Sequence, residues 1–555
     1  MIEQRLAVMI GEAVVAAGLA PFGDLPAIEL DKPRQKEFGD FTTNVAMALA
    51  SSAGKKPREV AEAIVAAFPS SDFVTTIEVA GPGFINFRVT HGWLYDALRE
   101  IRAGGDGYGR LEPNGKRVQV EYVSANPTGP LHVGTARNAV LGDALANIFA
   151  AAGWGVEREY YFNDAGRQMD LFAESVEARY LQRFGNDVPF PEEGYHGDYI
   201  LRIVDRIADA VGDELVDAPE AERRAVLKER GEELVFAEIR TTLERMGIRM
   251  DSWFSEKTLH DGGGIRAVVE RLQADGNAYE EDGAIWFRAS AFGDEKDRAL
   301  IKSDGDPTYF AADCAYVVDK VARGFDHLVY VWGADHHGTV KRLMGAVDAL
   351  GLSDDTVEIV LYQFVLLSRG GEPVKMSKRT GDLITLDELL DEVGADATRF
   401  TLLTQSNDSV INFDIEEAKK QSLDNPVYYV QYAHARIASI LRKAAQAGIA
   451  VGSADAAALD LLTHDAETEL LRDMAEMPEQ VRVASELRAP HRLTHYARGL
   501  SERFHRFYTE CRVITDDAEL TQARLQLAAG AKQVIANVMA ILAVSVPEAM
   551  ERSDD

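Results

Sequence analysis

Two short segments of this 555-residue chain carry residue types suited to work on a polyanion. The first, residues 124–135, reads SANPTGPLHVGT. A strand ending at Ser124-Ala125 and a helix beginning near Gly134 place Pro127 to Gly134 at the carboxyl edge of a parallel sheet, where open α/β sheets bind ligands. The unpaired amides of a helix start favour an anion such as phosphate. Gly134, with no side chain, lets a flat base lie against the backbone, and His132 can donate a hydrogen bond to a phosphate oxygen. The second segment, SRGGEPVKMSKRTGD from Ser368, holds Lys375, Lys378 and Arg379 between Gly370-Gly371 and Gly381. Glycines on both sides predict a mobile loop, and lysines three apart converge on one polyanion if that loop bends helically. Each segment by itself also fits an ordinary turn. Two of them in one doubly wound domain point to a nucleotide site, while the rival G-x-G-x-x-G is missing from this turn and G-x-x-x-x-G-K-[ST] from the whole chain.

The elements that must position these groups follow from periodicity. From Lys116 the runs RVQVEYVSA, AVLGDALANIFAAAG and VEREYYFN read strand, helix, strand, a right-handed βαβ unit of a parallel sheet. Between about 167 and 250 the sequence is helical and rich in charge, with a helix start at Asp217-Ala218-Pro219-Glu220, and reads as an insertion. AIWFRAS, HLVYVWGAD and EIVLYQFVLL then bring back sheet-like runs expected to complete the doubly wound domain. Upstream, residues 1–110 form a separate α+β module: a helix start at Thr42-Thr43, a turn at Gly81-Pro82-Gly83 before an alternating strand, and a glycine-rich end, AGGDGYGR. After Asn425 apolar residues recur at three- to four-residue spacing in four long runs, a helix bundle. The expected fold class is therefore α/β, a Rossmann-type catalytic domain over 111–424 flanked by the 1–110 module and an all-α domain over 425–555.

Composition narrows the classes. Cys314 and Cys511 lie too far apart in sequence for a disulfide framework or a Cys-x-x-Cys metal knuckle, which suits a reducing cytoplasm. The N-terminus, with Glu3 and Glu12 among apolar residues at helical spacing, reads as an amphipathic helix and not a signal peptide. The longest apolar runs fall short of the ~20 residues of a membrane span, so no anchor is expected. With 59 Lys+Arg against 90 Asp+Glu the formal charge is −31, which argues against coating nucleic acid by bulk charge. The acidity is uneven. Residues 1–110 carry 11 against 14 (−3), residues 425–555 carry 14 against 18 (−4), and residues 111–424 carry 34 against 58 (−24). The two flanking regions leave room for local cationic faces.

His132-Val133-Gly134-Thr135 with Lys375-Met376-Ser377-Lys378 resembles the HIGH and KMSK pair of class I aminoacyl-tRNA synthetases. The segments EYVSANPTGPLHVG, REYYFNDAGRQ, KSDGDPTYFAADCAY, VWGADHHG and NPVYYVQYAHARI, in that order, resemble arginyl-tRNA synthetases, and the likeness covers essentially the whole chain. The resemblance implies ATP-dependent activation of L-arginine to arginyl-adenylate and transfer to the 3′-terminal ribose of tRNA(Arg). It implies catalytic roles for His132, Gly134, Thr135, Lys375 and Lys378, and ATP contacts at Pro130, His132, Gly134, Gly333, Asp335, Met376 and Lys378. Arginine contacts fall on Glu121, Ser124, Asn126, His132, Tyr309, Asp313 and His336, with Tyr309 and Asp313, four apart on one helical face, meeting the guanidinium. A single Tyr or Asp in a helix is more often structural; the shared pattern is what singles these out.

For tRNA, the resemblance implies that the N-terminal module meets the outer corner of the L through Phe84 and Asn86, that helices over about 385–424 resemble a stem-contact region, and that the C-terminal domain meets the anticodon. Tyr428, Tyr432, His434 and Arg436 are spaced for one or two helical faces, where an aromatic-plus-arginine surface suits loop nucleotides and a plain aromatic stripe would be core. The implied reactants are ATP with Mg2+ as its substrate complex, L-arginine and tRNA(Arg), with no tightly bound protein metal and no membrane, in a cytoplasmic monomer. One position departs from the pattern: Thr135 stands where the motif usually has its second His, and its hydroxyl can cap the helix start instead. The alternatives are an inactive tRNA-binding paralogue, in favour of which Thr135 stands alone, and a class I synthetase for another amino acid. A nicotinamide-dependent dehydrogenase would need the glycine fingerprint that is missing.

Overall fold

A computed structural model describes residues 2–33, 35–164, 166–353, 355–374 and 384–550. Lys375, Met376 and Lys378 therefore lie outside the described residues. The chain forms two compact units, Met1–Gly105 with Ala444–Ala475 and Arg506–Ala531, and Asp106–Lys443 with Glu476–His505 and Lys532–Asp555.

In the first unit a three-stranded antiparallel sheet has Phe84–Val89 at its centre between Phe41–Thr43 and Val74–Ala80. Alternation along the central strand sends Ile85 and Phe87 into a core shared with Leu6 and Ile10 of the first helix and with Leu49, Val60 and Ile64. The strand follows the Gly81-Pro82-Gly83 turn as expected. Thr42 and Thr43 end a strand, and Asn44 is the residue before the Val45–Ala53 helix.

The second unit is built on a five-stranded parallel sheet in the order Val357–Tyr362, His327–Gly333, Arg117–Glu121, Gly155–Phe162, Ser252–Ser255. The chain runs outward from Arg117–Glu121 on one side, then returns to build the other, so the order reverses between Arg117–Glu121 and His327–Gly333. Ligands bind at the carboxyl ends of the strands at such a reversal. Helix Val133–Ala151 follows the first strand, and helices Arg167–Arg183, Asp198–Val211 and Glu220–Arg245 fill the expected insertion. Glu220 does begin a helix after Pro219.

Two sequence expectations change. AIWFRAS supplies Ala284–Phe287, the centre of a separate antiparallel sheet with Ala278–Glu281 and Arg298–Ile301, and not a strand of the parallel sheet. EIVLYQFVLL breaks at Gln363-Phe364 into Val357–Tyr362, an edge of the parallel sheet, and Val365–Arg369, which pairs with Ile411–Asp414 and Glu372–Pro373. An apolar run records burial, not the strand it pairs with. No described helix is long and apolar enough to cross a membrane.

Candidate active site

The loop after the first parallel strand is held in an unusual backbone. Val123 and Ser124 take φ of 68° and 44°, a region that costs a β-branched residue of order 1–3 kcal/mol. Surrounding bonds fix it. The amide of Val123 donates to Asn138 Oδ1, Asn138 Nδ2 donates to the Val331 carbonyl at 2.8 Å, and Tyr160 Oη donates to the Ala125 carbonyl at 2.7 Å. Asn126 is gripped on both sides of its amide: Oδ1 accepts from the Asn163 amide at 3.1 Å and Nδ2 donates to Gln168 Oε1 at 2.7 Å.

Helix Val133–Ala151 begins at His132, which occupies the N-cap position without a side-chain cap bond. Thr135 is the third helical residue, its amide donating to the His132 carbonyl at 2.8 Å, so the expected threonine cap does not form. A Cβ on Gly134 would fall 2.9 Å from His132 Nδ1, so only glycine leaves that ring its place. The loop is also tied to the residues that follow the lysine segment in sequence: the Val133 amide donates to the Ile384 carbonyl at 3.2 Å, the Leu386 amide to the Leu131 carbonyl at 2.8 Å, and His132 bridges to Thr385. Thr385 in turn opens helix Leu386–Val393 with a capping box closed by Glu388. On the other side of that segment, Asp414 accepts the Gly370 amide at 3.1 Å and the Gly371 amide at 2.6 Å.

At the end of the neighbouring strand, a Cβ on Gly333 would lie 2.4 Å from Asp335 Oδ1, so the glycine leaves that carboxylate its place. Asp335 and His336 are both well exposed, with His336 Nε2 3.8 Å from Asp335 Oδ2 and its ring 5.9 Å from that of Trp332. Pro130 is half-buried in the loop before His132.

Beneath these, parallel register builds a charged row. Tyr330 pairs with Glu121, and Glu121 with Glu159, so two carboxylates stand side by side on adjacent strands. Lys320, 1% exposed, closes over them from helix Tyr309–Ala322. Its ammonium donates to Glu121 Oε2 at 2.6 Å, lies 3.9 Å from Glu159 Oε1, and sits 4.1 and 3.9 Å from the ring centroids of Tyr316 and Tyr330. Glu121 Oε1 accepts from Ser124 Oγ at 3.1 Å, so both its oxygens are engaged. Burial by itself would raise Glu159; the hydrogen bond from Arg323, then Lys320, hold it below the usual carboxylate range. Burial lowers Lys320 despite both carboxylates.

One carboxylate differs. Asp313, half-buried one turn after Tyr309, receives no hydrogen bond from any described residue, whereas nearby Glu256 accepts from Tyr161 Oη at 2.6 Å and lies 3.4 Å from His260 Nε2. Burial, then the charges of Glu121 and Glu256, raise Asp313 to about 7 against an opposing pull from Arg342. Tyr309, 71% exposed, points its hydroxyl to 3.8 Å from where a Cβ on Gly166 would lie. The structure thus gathers Glu121, Ser124, Asn126 and Asp313 around the ends of two strands. Sequence reasoning missed Lys320, Glu159, Glu256 and Gln168. Lys320 had a signal, since Asp313, Tyr316 and Lys320 fall at i, i+3, i+7 on one helical face.

The implied tRNA contacts divide by exposure. On the central strand of the first unit Phe84 is exposed and Asn86, on the same face, is buried. On helix Pro426–Gln446, Tyr428 and Tyr432 stack with centroids 6.2 Å apart, and Arg436 lies over Tyr432 at 4.7 Å, donating to its hydroxyl at 2.8 Å. His505 joins that stripe 6.0 Å from Tyr432, held to about 4 by burial and Arg436. His434 faces the other way, buried with Nδ1 3.0 Å from the Pro547 carbonyl.

Comparison with known proteins agrees along the chain. Residues 2–89 match the family model described as "Arginyl tRNA synthetase N terminal domain", residues 98–191 and 228–439 "tRNA synthetases class I (R), catalytic domain", and residues 430–550 "DALR anticodon binding domain". The arginine–tRNA ligase of Heliobacterium modesticaldum is 48% identical over 99% of both chains, and that of Moorella thermoacetica 46% identical over 99% of both. Among solved structures, a putative arginyl-tRNA synthetase from Campylobacter jejuni is 33% identical, with a TM-score of 0.77 over 83% of this chain and 100% of its own. Arginyl-tRNA synthetase from Thermus thermophilus shares the fold, with a TM-score of 0.77 over 99% of this chain and 100% of its own at 24% identity. With matches along its full length, the chain belongs to the arginyl-tRNA synthetases, a class I aminoacyl-tRNA synthetase family.

Proposed function

We propose that the chain ligates arginine to tRNA(Arg) in two steps. The arginine carboxylate attacks the α-phosphorus of ATP carried with Mg2+, the bond from that phosphorus to the bridging oxygen breaks, and pyrophosphate leaves; the terminal ribose hydroxyl of tRNA then takes the aminoacyl group and AMP leaves. No side-chain nucleophile is needed, so positioning and charge stabilisation dominate. His132, the helix start at Gly134 and the half-buried Pro130 receive the triphosphate, Gly333 and Asp335 the ribose, and Lys375, Met376 and Lys378 act from the second motif. Asp313 and Tyr309 take the guanidinium; Asn126, Ser124 and Glu121 line the strand end, and His336 the rim.

The observation that carries this reading is Asp313, a carboxylate without a hydrogen-bonding partner among the described residues, beside carboxylates that are already paired. That leaves one acidic group for one guanidinium. Phe84, Tyr432 and Arg436 are the tRNA contacts of a cytoplasmic monomer, with Asn86 and Tyr428 buried beside them. The test is aminoacylation with purified arginine tRNA, alongside exchange of pyrophosphate into ATP with tRNA present and each amino acid in turn. Arginine alone should support both; charging with another amino acid, or none, would sink the assignment. In the same exchange assay Lys378→Ala should slow activation at least tenfold.

A further inference from the structure

The helical insertion reaches the signature loop through one side chain. Tyr199, in the first turn of helix Asp198–Val211, donates from its hydroxyl to the Thr128 carbonyl at 2.8 Å. Its ring covers Gly129 so closely that a Cβ there would lie 2.8 Å from Cζ and 3.0 Å from the hydroxyl oxygen. Gly197 gives the ring room on its other side, where a Cβ would lie 2.6 Å from Cε1. The approach is braced from within the insertion: Ser175 Oγ, on helix Arg167–Arg183, accepts the Tyr195 amide at 2.9 Å. The same helix supplies Gln168 to Asn126, and the Thr128 amide closes a tight turn on the Asn126 carbonyl at 2.8 Å. The insertion therefore holds the loop at Asn126 and again at Thr128-Gly129, just before His132.

We propose that Tyr199 is a positioning residue for adenylate formation, its ring and hydroxyl fixing the Thr128–Gly129 peptide and so the reach of Asn126 to arginine and of His132 to phosphate. The inference rests on the reading of residues 121–135 as the substrate site. Tyr199 touches neither reactant. It acts by removing the slack of a glycine peptide between two binding groups, where an ångström of misplacement costs on the order of a hundredfold in rate.

The test measures arginine-dependent pyrophosphate exchange by the full chain with tRNA present, together with tRNA affinity and melting temperature. Tyr199→Ala should lower kcat at least tenfold with tRNA affinity unchanged, and Tyr199→Phe, which keeps the ring, three- to tenfold without a shift in melting. The decisive readout is coupling. Gly129→Ala, which must displace the ring, should be costly in the parent and nearly silent in Tyr199→Ala. If Tyr199→Ala does not fold, Tyr199→Phe should add nothing to Gly129→Ala, because the displaced ring has already lost its hydrogen bond. Costs that simply multiply in these pairs, or full exchange by Tyr199→Ala, overturn the inference. His132→Ala in the same assay separates the two readings: its expected loss of at least tenfold with multiplicative Tyr199 and Gly129 costs removes only the positioning role, whereas full exchange by His132→Ala removes the substrate-site reading and this one with it.

Discussion

At the end of the site proposed for phosphate, the groups among the described residues come from one stretch of chain, residues 124–135, and much of the attraction for an anion there is backbone: a helix start at His132 and a loop held by main-chain bonds to Ile384 and Leu386. At the end proposed for the guanidinium they are side-chain charges from several separated elements: Glu121 and Glu159 on two strands, Glu256 beyond a third, Asp313 and Lys320 on one helix. Backbone dipoles impose little desolvation cost, since they already belong to a helix. Buried carboxylates must each be neutralised, and here all but Asp313 have hydrogen-bonding partners among the described residues. On the proposed reading, the contrast teaches that selectivity for a cation is made by pairing the neighbouring acids and leaving Asp313 for substrate.

The contrast breaks most severely at Lys320. Lys320→Met removes the cation that separates Glu121 from Glu159 and leaves two buried carboxylates facing each other, at a cost of about 3–5 kcal/mol in stability. Urea or thermal unfolding should show that loss, and Glu121→Gln added to it should recover a substantial part. A Lys320→Met protein as stable as the parent would mean that the row is not held by charge. Asp313→Asn should act in the opposite way. It removes a carboxylate that the fold keeps at a disadvantage, so stability should hold or rise, while kcat/KM for arginine falls at least a hundredfold, about 3 kcal/mol. Equal loss of stability and activity in this variant would place Asp313 among the structural acids.

How much of this the sequence showed follows from the same division. The loop was legible because its chemistry is contiguous: His132, Gly134 and the strand-to-helix change sit within a dozen residues. The helices of the insertion were legible from periodicity and charge. The charged row was not, because Glu121 and Glu159 become neighbours only through strand register, 38 positions apart. Lys320 was half-legible, at helical spacing from Asp313, yet a lysine on an otherwise apolar helix face reads as a surface residue until its carboxylates are known. Ser252–Ser255, four residues bounded by serines, gave no strand signal, and AIWFRAS looked like a fifth parallel strand because apolar content does not name a partner. The positive φ at Val123 and Ser124 had no signal either, since no glycine marks it.

The smallest expected effect is the most specific to the guanidinium end. With Asp313 raised to about 7 by burial and by Glu121 and Glu256, with Arg342 opposing, the free site holds a neutral acid below that pH and a carboxylate above it. An unfolded chain ionises the same group near 4. Between about pH 4 and 7 the folded state therefore binds the extra proton, so this group's contribution to stability falls as pH rises through that window and reaches its minimum above 7. A guanidinium pairs only with the ionised form, so arginine binding should release a proton below pH 7 and strengthen as pH rises through 7. A single group with that titration makes KM for arginine about tenfold higher at pH 6 than at pH 8. Asp313→Asn should flatten that slope. If the arginine slope survives in Asp313→Asn, the titrating group lies elsewhere and Asp313 does not govern arginine binding.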